Sequence, residues 1–301
     1  MTAGPAPQPQ PTRLRIGTSS YSSPDWCGPF YPAGMRPEEF LSFYAGRYPT
    51  VEIDATWHAM PSRRTVEAWR DRVPDGFIFA AKVPKSITHD LYLQDCAEEW
   101  KRFLSLMEIL GGKRGPLLLQ FQYVARNRDP EEYRTGAEFR RRLARFLPLL
   151  PDGWRFAVEV RNRAWLGPAL FDLLRGRGIA LALTAYYTMP TAAELLREGD
   201  PVTADFSYLR FLGNHKLMDQ AVARERECGR RDRDWGEVLI DRTEELRQWI
   251  PPVRTLLERT SEVYAYFNNH YAGFAPGTCE LFARLWAEEA AGVGSSAPER
   301  A

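Results

Sequence analysis

Short apolar runs alternate along the chain with longer stretches in which apolar residues recur every three or four positions. The runs cover residues 14–19, 51–57, 77–83, 116–122, 155–161, 179–185, 206–213 and 263–269. Short apolar runs are typical of buried strands, whereas a repeat of about 3.6 residues is typical of amphipathic helices. Because parallel strands need a crossover connection, this alternation predicts a parallel sheet with helices between its strands.

The number of repeats distinguishes two parallel-sheet architectures. Eight strand–helix units in a chain of 301 residues match a (β/α)₈ barrel of the TIM type. The rival, an open doubly wound sheet, usually carries a glycine-rich phosphate-binding turn after its first strand. Here that turn reads GTSSYSSPDW and has no GxGxxG pattern. The sequence therefore predicts an α/β protein with one TIM-type barrel domain over residues 13–290.

Composition and charge narrow the class of protein. Residues 1–12 are rich in Pro, Ala and Gln, and residues 291–301 include GVGSSAPERA, so both segments are expected to be disordered tails. The net charge of +1 gives no field that points to nucleic acid or to an anionic membrane. There is no secretion signal and no run of about 18 apolar residues, so we expect a cytoplasmic protein without a membrane partner.

Polar residues occupy positions that a barrel normally fills with bulky apolar side chains. Barrel strands turn alternate side chains inward, and six predicted strands carry polar residues at these positions. They are Glu52, Asp54, Thr56, Lys82, Gln120, Gln122, Glu159, Arg161, Tyr208, Arg210, Tyr266 and Asn268. The carboxyl ends of barrel strands hold the active site in nearly every characterised enzyme, so a polar site is expected there. An internal salt-bridge network, for example Glu52 with Arg210, is the alternative.

Histidines and aromatic residues fall on the loops predicted at the same end of the barrel. They are His58, His89, His215, His270, Tyr21, Trp26, Trp57, Trp165, Tyr186, Tyr187 and Tyr271. Aromatic faces can stack on a sugar or base, and packing within the loops is the alternative. No HxH or HExxH spacing occurs and the cysteines lie far apart, so no cofactor is expected and a metal is the less favoured alternative. The charged segment 213–235 is expected to be a solvated loop rather than a nucleic-acid surface. The helix predicted after it, over about 235–249, is expected to be interrupted by Pro251-Pro252.

Several motifs, in chain order, resemble the YecE-like family of TIM-barrel proteins, which is labelled a domain of unknown function. They are GTSSYSSPDWCGPFYP, Lys82 with ITH, Gln120 after LLL, EVR with Trp165, Arg210 with Gly213, and FNNHYAGFAP. The likeness extends from about residue 14 to residue 285, and its first and last motifs are specific. The resemblance implies a TIM-type barrel but no established reaction. An endonuclease-like role is implied by structural analogy alone.

The chain is expected to be a divergent member of that family. The family tends to have Asn-Ser-Thr-Phe-Tyr after the second strand, where this chain has DATWH at 54–58. Asn162 stands where a histidine usually follows Glu-x-Arg, and Ala185 stands where an aspartate commonly ends the sixth strand. Phe121 and Gln122 replace a Pro-Pro pair. These departures leave both altered chemistry and an absence of chemistry open.

Three functions are compatible with these residues. The first is a hydrolase or lyase for a small polar, phosphate-bearing substrate, with Glu159, Asp54 and His270 as catalytic residues. The substrate-binding residues would be Thr18, Tyr21, Trp57, Lys82, His89, Gln120, Arg161, Trp165, Arg210, Asn268 and Asn269. A binding protein for a nucleotide or a nucleic-acid end, without chemistry, is the first alternative. A glycoside-processing enzyme with a pair of carboxylates is the second.

The segment Asn268-Asn269-His270 is the predicted anion site. Barrel phosphate sites often form from the loops after the seventh and eighth strands, and Arg210 is expected nearby. His270 would become charged as the pH falls toward about 6, so anion affinity is expected to rise there. The alternative is that the two asparagines cap the turn and His270 packs against it. The sequence leaves the oligomeric state open.

Overall fold

Eight parallel β-strands surround a common axis in the computed structural model, which describes residues 13–124, 136–229 and 234–294. The predicted N-terminal tail, residues 1–12, lies outside these ranges. So do the last seven residues of the predicted C-terminal tail and a helix start predicted at Asp129-Pro130.

The strands follow one another around the barrel in chain order. They are β1 (Leu14–Thr18), β2 (Thr50–Ile53), β3 (Ile78–Lys82), β4 (Arg114–Gln120), β5 (Phe156–Glu159), β6 (Ala180–Tyr186), β7 (Phe206–Gly213) and β8 (Glu262–Phe267). The paired order is β1-β8-β7-β6-β5-β4-β3-β2. A bridge between Ser19 and Glu52, with Ser20 N donating to Glu52 O at 2.7 Å, joins β1 to β2 and nearly closes the sheet. The predicted single-domain (β/α)₈ barrel is confirmed.

Helices follow the strands and cover the outside of the barrel. They are α1 (Pro37–Ala45), α2 (Ala55–His58), α3 (Arg63–Asp71), α4 (Ala97–Glu108), α5 (Ala137–Phe146), α6 (Pro168–Arg175), α7 (Ala192–Glu198), α8 (His215–Glu227), α9 (Thr243–Arg259), α10 (Asn269–Ala272) and α11 (Ala275–Gly294). Short 3₁₀ turns occur at Pro24–Trp26, Gly111–Lys113, Leu147–Leu149 and Arg163–Trp165, and a π turn at Ser86–Asp90. The last helix ends four residues beyond the predicted domain end at 290. No helix in the described ranges is long and apolar enough to cross a membrane.

Local sequence explains several helix starts. The Ser62 hydroxyl accepts a hydrogen bond from Thr65 N at 3.1 Å and caps α3. At α7, Thr191 and Glu194 form a reciprocal capping box. Each cap gives a partner to a backbone N–H that the first helical turn leaves without one.

The barrel interior changes from apolar to polar along its axis. The inner apolar cluster combines small and aromatic residues: Ala80, Leu118, Ala157, Ala180, Ala182, Phe206, Tyr208, Tyr264 and Tyr266. Small residues leave room for the large tyrosine rings, so the interior is filled. The Tyr266 hydroxyl lies 2.8 Å from Thr50 Oγ1, and Tyr208 donates to Glu52 at 2.7 Å. These hydroxyls begin a polar layer toward the carboxyl ends of the strands.

Two sequence expectations about the helices were wrong. Residues His215–Glu227 of the charged segment after β7 form α8, because Met218 and Val222 lie four residues apart on a buried face. Asn214 caps this helix by accepting from Leu217 N at 3.1 Å. The pair Pro251-Pro252 was expected to interrupt a helix over about 235–249, but α9 continues through it. Its buried face extends on both sides of the prolines, so packing outweighs the lost backbone hydrogen bonds.

Candidate functional site at the carboxyl ends of the strands

A buried ion-pair network spans the barrel below its mouth. The Arg210 guanidinium donates to Glu52 from Nη2 at 2.7 Å and from Nε at 2.9 Å, and to Glu159 from Nη1 at 2.6 Å. Arg210 is 2% exposed and both carboxylates are fully buried. Burial opposes the charge of Arg210, but the two carboxylates outweigh it and raise its pKa well above the usual value. These three residues form the internal salt-bridge network that the sequence offered as an alternative.

Glu159 uses both of its carboxylate oxygens within the protein. Oε1 accepts from Arg161 Nε at 2.5 Å, and Oε2 accepts from Arg210. Burial opposes ionisation, yet the guanidiniums of Arg161 and Arg210 lower the pKa of Glu159 to about 2. Such a carboxylate is ionised at neutral pH and is too weak a base for efficient proton transfer. We infer that Glu159 positions Arg161 and does not act as the general acid or base expected from the sequence.

The depressed pKa of Glu159 predicts a loss of stability in acid. Its stabilising contribution is complete above the ordinary value of 4.5 and disappears as the pH falls toward about 2. The difference between these values corresponds to about 3 kcal/mol of unfolding free energy. Urea unfolding between about pH 5 and pH 2.5 should show most of this loss in the wild type but not in Glu159→Gln. Parallel pH profiles for the two proteins would contradict the assignment.

Arg161 extends the buried ion-pair network from Glu159 toward the mouth of the barrel. It lies two residues beyond the last residue of β5, and its side chain is 13% exposed. Its guanidinium carbon is 4.3 Å from the centroid of the Tyr186 ring. An ion pair with Glu159 and an aromatic face therefore hold the side chain in one orientation.

A second ion pair lies at the ends of β2 and β3. Lys82 Nζ is 2.9 Å from Asp54 Oδ1 and 4.9 Å from the centroid of the Trp57 ring. The Asp54 side chain is 33% exposed, whereas that of Lys82 is 9% exposed. Burial raises the pKa of Asp54, but Lys82 outweighs it and leaves the pKa below its usual value. Asp54 is therefore a carboxylate that solvent and a ligand can reach.

The groups on β3, β4 and β5 face a common space. Gln120 ends β4 in register with Glu159, and its amide nitrogen donates to Phe121 O at 3.3 Å. Burial lowers the pKa of His89, and the positive charges of Lys82 and Arg161 lower it further. This shared effect puts both cations within electrostatic range of one imidazole. Lys82 and Arg161 therefore both act on His89, and the prediction that these residues and Gln120 form one binding site stays a prediction.

The segment after β8 is used for capping. Asn268 Oδ1 accepts from His270 N, and Asn269 Oδ1 accepts from Ala275 N, both at 3.0 Å. The His270 ring lies 4.1 Å from that of His215 and 4.6 Å from that of Trp235, measured between centroids. The capping interpretation therefore describes this segment.

The expected anion site beside His270 depends on the positive charges of Arg210 and His270, and neither is as available as predicted. Arg210, the predicted cation, is already paired with two buried carboxylates. Burial lowers the pKa of His270, and nearby Asp219 only partly opposes this effect. The imidazole therefore carries less charge near pH 6 than an exposed histidine, so any rise of anion affinity at this residue is expected at a lower pH.

Thr18 faces away from the barrel interior, contrary to expectation. Its hydroxyl donates to Ser20 O at 2.6 Å and lies 2.8 Å from the Tyr44 hydroxyl, on the side of α1. The next residue, Ser19, is in register with Glu52 and so shares its inward direction. Successive residues of a strand point to opposite faces, so the predicted contact belongs to Ser19.

The remaining predicted residues divide between core and mouth. Trp165 is 1% exposed and stacks on Phe139 with centroids 4.6 Å apart, so it belongs to the outer core. Tyr21 is partly buried, with its ring centroid 6.4 Å from that of Tyr44. Trp57 lies at the mouth against Lys82 and His89.

Sequence reasoning missed Ser19, and it placed Tyr186 on a mouth loop without predicting its contact with Arg161. The hydroxyl of Ser19 and the indole nitrogen of Trp57 are buried without a hydrogen-bond partner among the described residues. Buried polar atoms are nearly always paired, so these two are candidate contacts for a ligand or water. Inward alternation along β1 could have pointed to Ser19. No pattern in the sequence predicts the contact between Tyr186 and Arg161.

Asn162, the departure from the family pattern, has a structural role. Its Oδ1 accepts from Val124 N at 2.8 Å, and its Nδ2 donates to Val124 O at 2.9 Å. The side chain thus ties the loop after β5 to the loop after β4. An asparagine can make this paired contact because it carries both a donor and an acceptor.

The described ranges contain His, Cys, Asp and Glu side chains that could bind a metal only if they were clustered. There, no three His, Cys, Asp or Glu side chains are arranged to hold a metal ion. The cysteines Cys27, Cys96, Cys228 and Cys279 are free thiols. The expectation of no cofactor stays a prediction.

The fold and the polar layer define a class of protein: a TIM barrel whose candidate site lies at the carboxyl ends of its strands. The family described as "Protein of unknown function DUF72" matches residues 15–301, and the chain belongs to this family. The family prediction is confirmed at this level, and membership of the YecE-like subfamily stays a prediction.

Relatives align with most of this chain. It is 22% identical over 274 residues to UPF0759 protein YunF of Bacillus subtilis, covering 87% of this chain and 90% of the relative. A crystal structure of a DUF72 family protein from Thermotoga maritima has 27% identity and a TM-score of 0.68, covering 91% and 99% of the two chains. One from Enterococcus faecalis has 21% identity and a TM-score of 0.66, covering 91% and 95%. These names state no reaction, so function is argued from the site.

Proposed function

We propose that the chain is a hydrolase or lyase that binds a small phosphate-bearing substrate at the barrel mouth through Arg161 and Lys82. The orientation of Arg161 is the observation that supports this most. Glu159 holds its Nε at 2.5 Å, and the Tyr186 ring lies 4.3 Å from its guanidinium carbon. The guanidinium N–H groups that are not used by Glu159 or Tyr186 then provide donors for an oxyanion, at little additional cost in side-chain entropy.

The charge balance of the site indicates which group transfers a proton. Three carboxylates, Glu52, Asp54 and Glu159, face three cations, Lys82, Arg161 and Arg210, in ion pairs. A phosphate therefore adds negative charge to a neutral cluster. Because Asp54 is partly exposed and Lys82 lowers its pKa, a phosphate that engages Lys82 raises that pKa. Asp54, which solvent can reach, then takes up a proton from water and serves as the general acid.

The same contacts argue against the two alternatives. A glycosidase needs two carboxyl groups that are free to react with the sugar. Glu52 and Glu159 are fully buried and paired with Arg210, so neither meets this need. The net charge of +1 gives little support for nucleic-acid binding. A non-catalytic nucleotide-binding protein would bind the same ligand at the same site. Only a measurement of turnover distinguishes it from the proposed enzyme.

Replacement of Asp54 by asparagine is expected to abolish most turnover while phosphate still binds. Loss of a general acid or base typically slows the chemical step by about 10²–10⁴-fold. A panel of phosphomonoesters, phosphodiesters and glycosides would be tested with wild type and Asp54→Asn, with calorimetry of inorganic phosphate alongside. Asp90→Asn, at an exposed residue next to His89, is the matched control. Phosphate binding without turnover of any ester would refute the enzyme and favour the binding protein.

A further inference from the structure

A cavity of about 380 Å³ lies beside the mouth, between the ends of β6 and β7 and helices α7 and α9. Its walls include Tyr186, Tyr187, Met189, Leu217, Gln248 and Trp249. Tyr187 and Leu217 are 61% and 48% exposed, so both side chains are accessible to a ligand. This volume is at the lower end of the range of about 300–1,000 Å³ for small-molecule sites.

The cavity combines flat apolar walls with polar groups on one side. Tyrosine, tryptophan and methionine side chains provide surfaces on which a planar ring can pack. On the α9 side, Arg242 pairs with Glu245 at 2.8 Å, and Gln248 adds a carboxamide. Asn214 uses its Oδ1 to cap α8, which leaves its amide N–H groups as donors. A planar ring with hydrogen-bonding edges matches this arrangement, as in a nucleobase.

Tyr186 connects this cavity to the proposed phosphate site. It lines the cavity, and its ring also lies 4.3 Å from the guanidinium carbon of Arg161. The register between β6 and β7 shifts between Ala185 and Tyr186, so the strand ends irregularly at this position. Gly213 ends β7 with φ +68°, and a Cβ there would lie 2.6 Å from His270 O. Backbone contacts thus fix the cavity floor next to the mouth.

We propose that the cavity binds the base of a nucleoside monophosphate whose phosphate lies at Arg161. The inference rests on the proposed function, since it assigns the substrate class of that site. Inorganic phosphate would use the mouth alone, and an uncharged nucleoside would use the cavity alone. A nucleoside monophosphate uses both and binds more tightly than either part.

The test blocks the cavity with a larger side chain and leaves the residues of the barrel mouth unchanged. Ala193 lines the cavity and is exposed on α7, so Ala193→Phe blocks the space with little strain. Ala169→Phe, at an exposed alanine of α6, is the matched control. Calorimetry would compare the four ribonucleoside 5′-monophosphates, their nucleosides and inorganic phosphate. At least one monophosphate should bind about tenfold more tightly than phosphate, and Ala193→Phe should remove that gain without changing phosphate binding.

The outcomes separate this inference from the proposed function. If phosphate binds but no nucleotide binds more tightly, or Ala193→Phe does not weaken the nucleotide, the cavity assignment is refuted and the phosphate site survives. If nucleosides bind in a manner sensitive to Ala193→Phe but phosphate does not bind, the ring pocket survives and the phosphate site fails. Absence of binding by all three kinds of probe refutes both.

Discussion

Replacement of Arg210 by methionine is expected to destabilise the protein by about 3–5 kcal/mol, because it removes the cation from a buried ion-pair network. Glu52 would keep the Tyr208 hydroxyl, and Glu159 would keep Arg161, but neither carboxylate would keep its guanidinium from β7. Both are fully buried, so water cannot replace the lost partner. Methionine keeps the apolar volume of the arginine stem, which isolates the effect of charge.

Urea unfolding of the wild type and Arg210→Met would measure this effect. Arg259→Met provides the matched control, because Arg259 pairs with Asp200 at 2.7 Å and both side chains are at least 40% exposed. A surface pair of this kind contributes no more than about 1 kcal/mol. Adding Glu52→Gln to Arg210→Met should restore part of the loss, since it removes the carboxylate left without an ion-pair partner. An Arg210→Met protein within about 1 kcal/mol of the wild type would refute the network's structural role.

Replacement of Arg161 by methionine is expected to weaken phosphate binding by roughly 10–100-fold, which corresponds to the loss of a charge-assisted hydrogen bond. Glu159 keeps Arg210 in this variant, so the fold should persist. Calorimetric titration with inorganic phosphate would measure the change. Arg163→Met is the matched control, because Arg163 is exposed and only two residues away. Equal losses in both variants would indicate a general charge effect and would contradict a specific contact.

The barrel and its polar end follow from local patterns in the sequence. Alternation along a strand has a period of two, so Glu52, Lys82 and Arg210 could be assigned to the interior from their spacing alone. The carboxyl ends of parallel strands meet at one edge, which placed these residues at the same end. Such inferences need no knowledge of which residues contact each other across the barrel.

Partner choice within the polar layer could not be predicted in the same way. Arg210 and Glu52 are separated by 158 residues, and their contact depends on closure of the barrel. Charge and spacing did not reveal that Arg210 would be fully paired while Arg161 reached the mouth. The roles of Glu159 and Asp54 differ for the same reason: one is fully buried, and the other is partly exposed.

A prediction that is shifted by one residue along a strand assigns the wrong side chain to the candidate site. Thr18 and Ser19 both carry hydroxyls, but adjacent residues of a strand face opposite sides, so a shift of one exchanges core and mouth. The role of Asn268 and Asn269 could not be read from the sequence, because asparagine serves equally well as a ligand contact and as a cap. Their hydrogen bonds to His270 N and Ala275 N decide between these uses, and they depend on the turn geometry after β8.

The central claim is that the mouth binds phosphate through Arg161 and Lys82, and a crystal structure of the protein soaked with inorganic phosphate tests it most directly. The account predicts an anion in contact with the Arg161 guanidinium and Lys82 Nζ, with Asp54 displaced from its 2.9 Å contact to Lys82. An anion bound instead beside Asn268 and His270, or a mouth left without an anion at saturating phosphate, would contradict it.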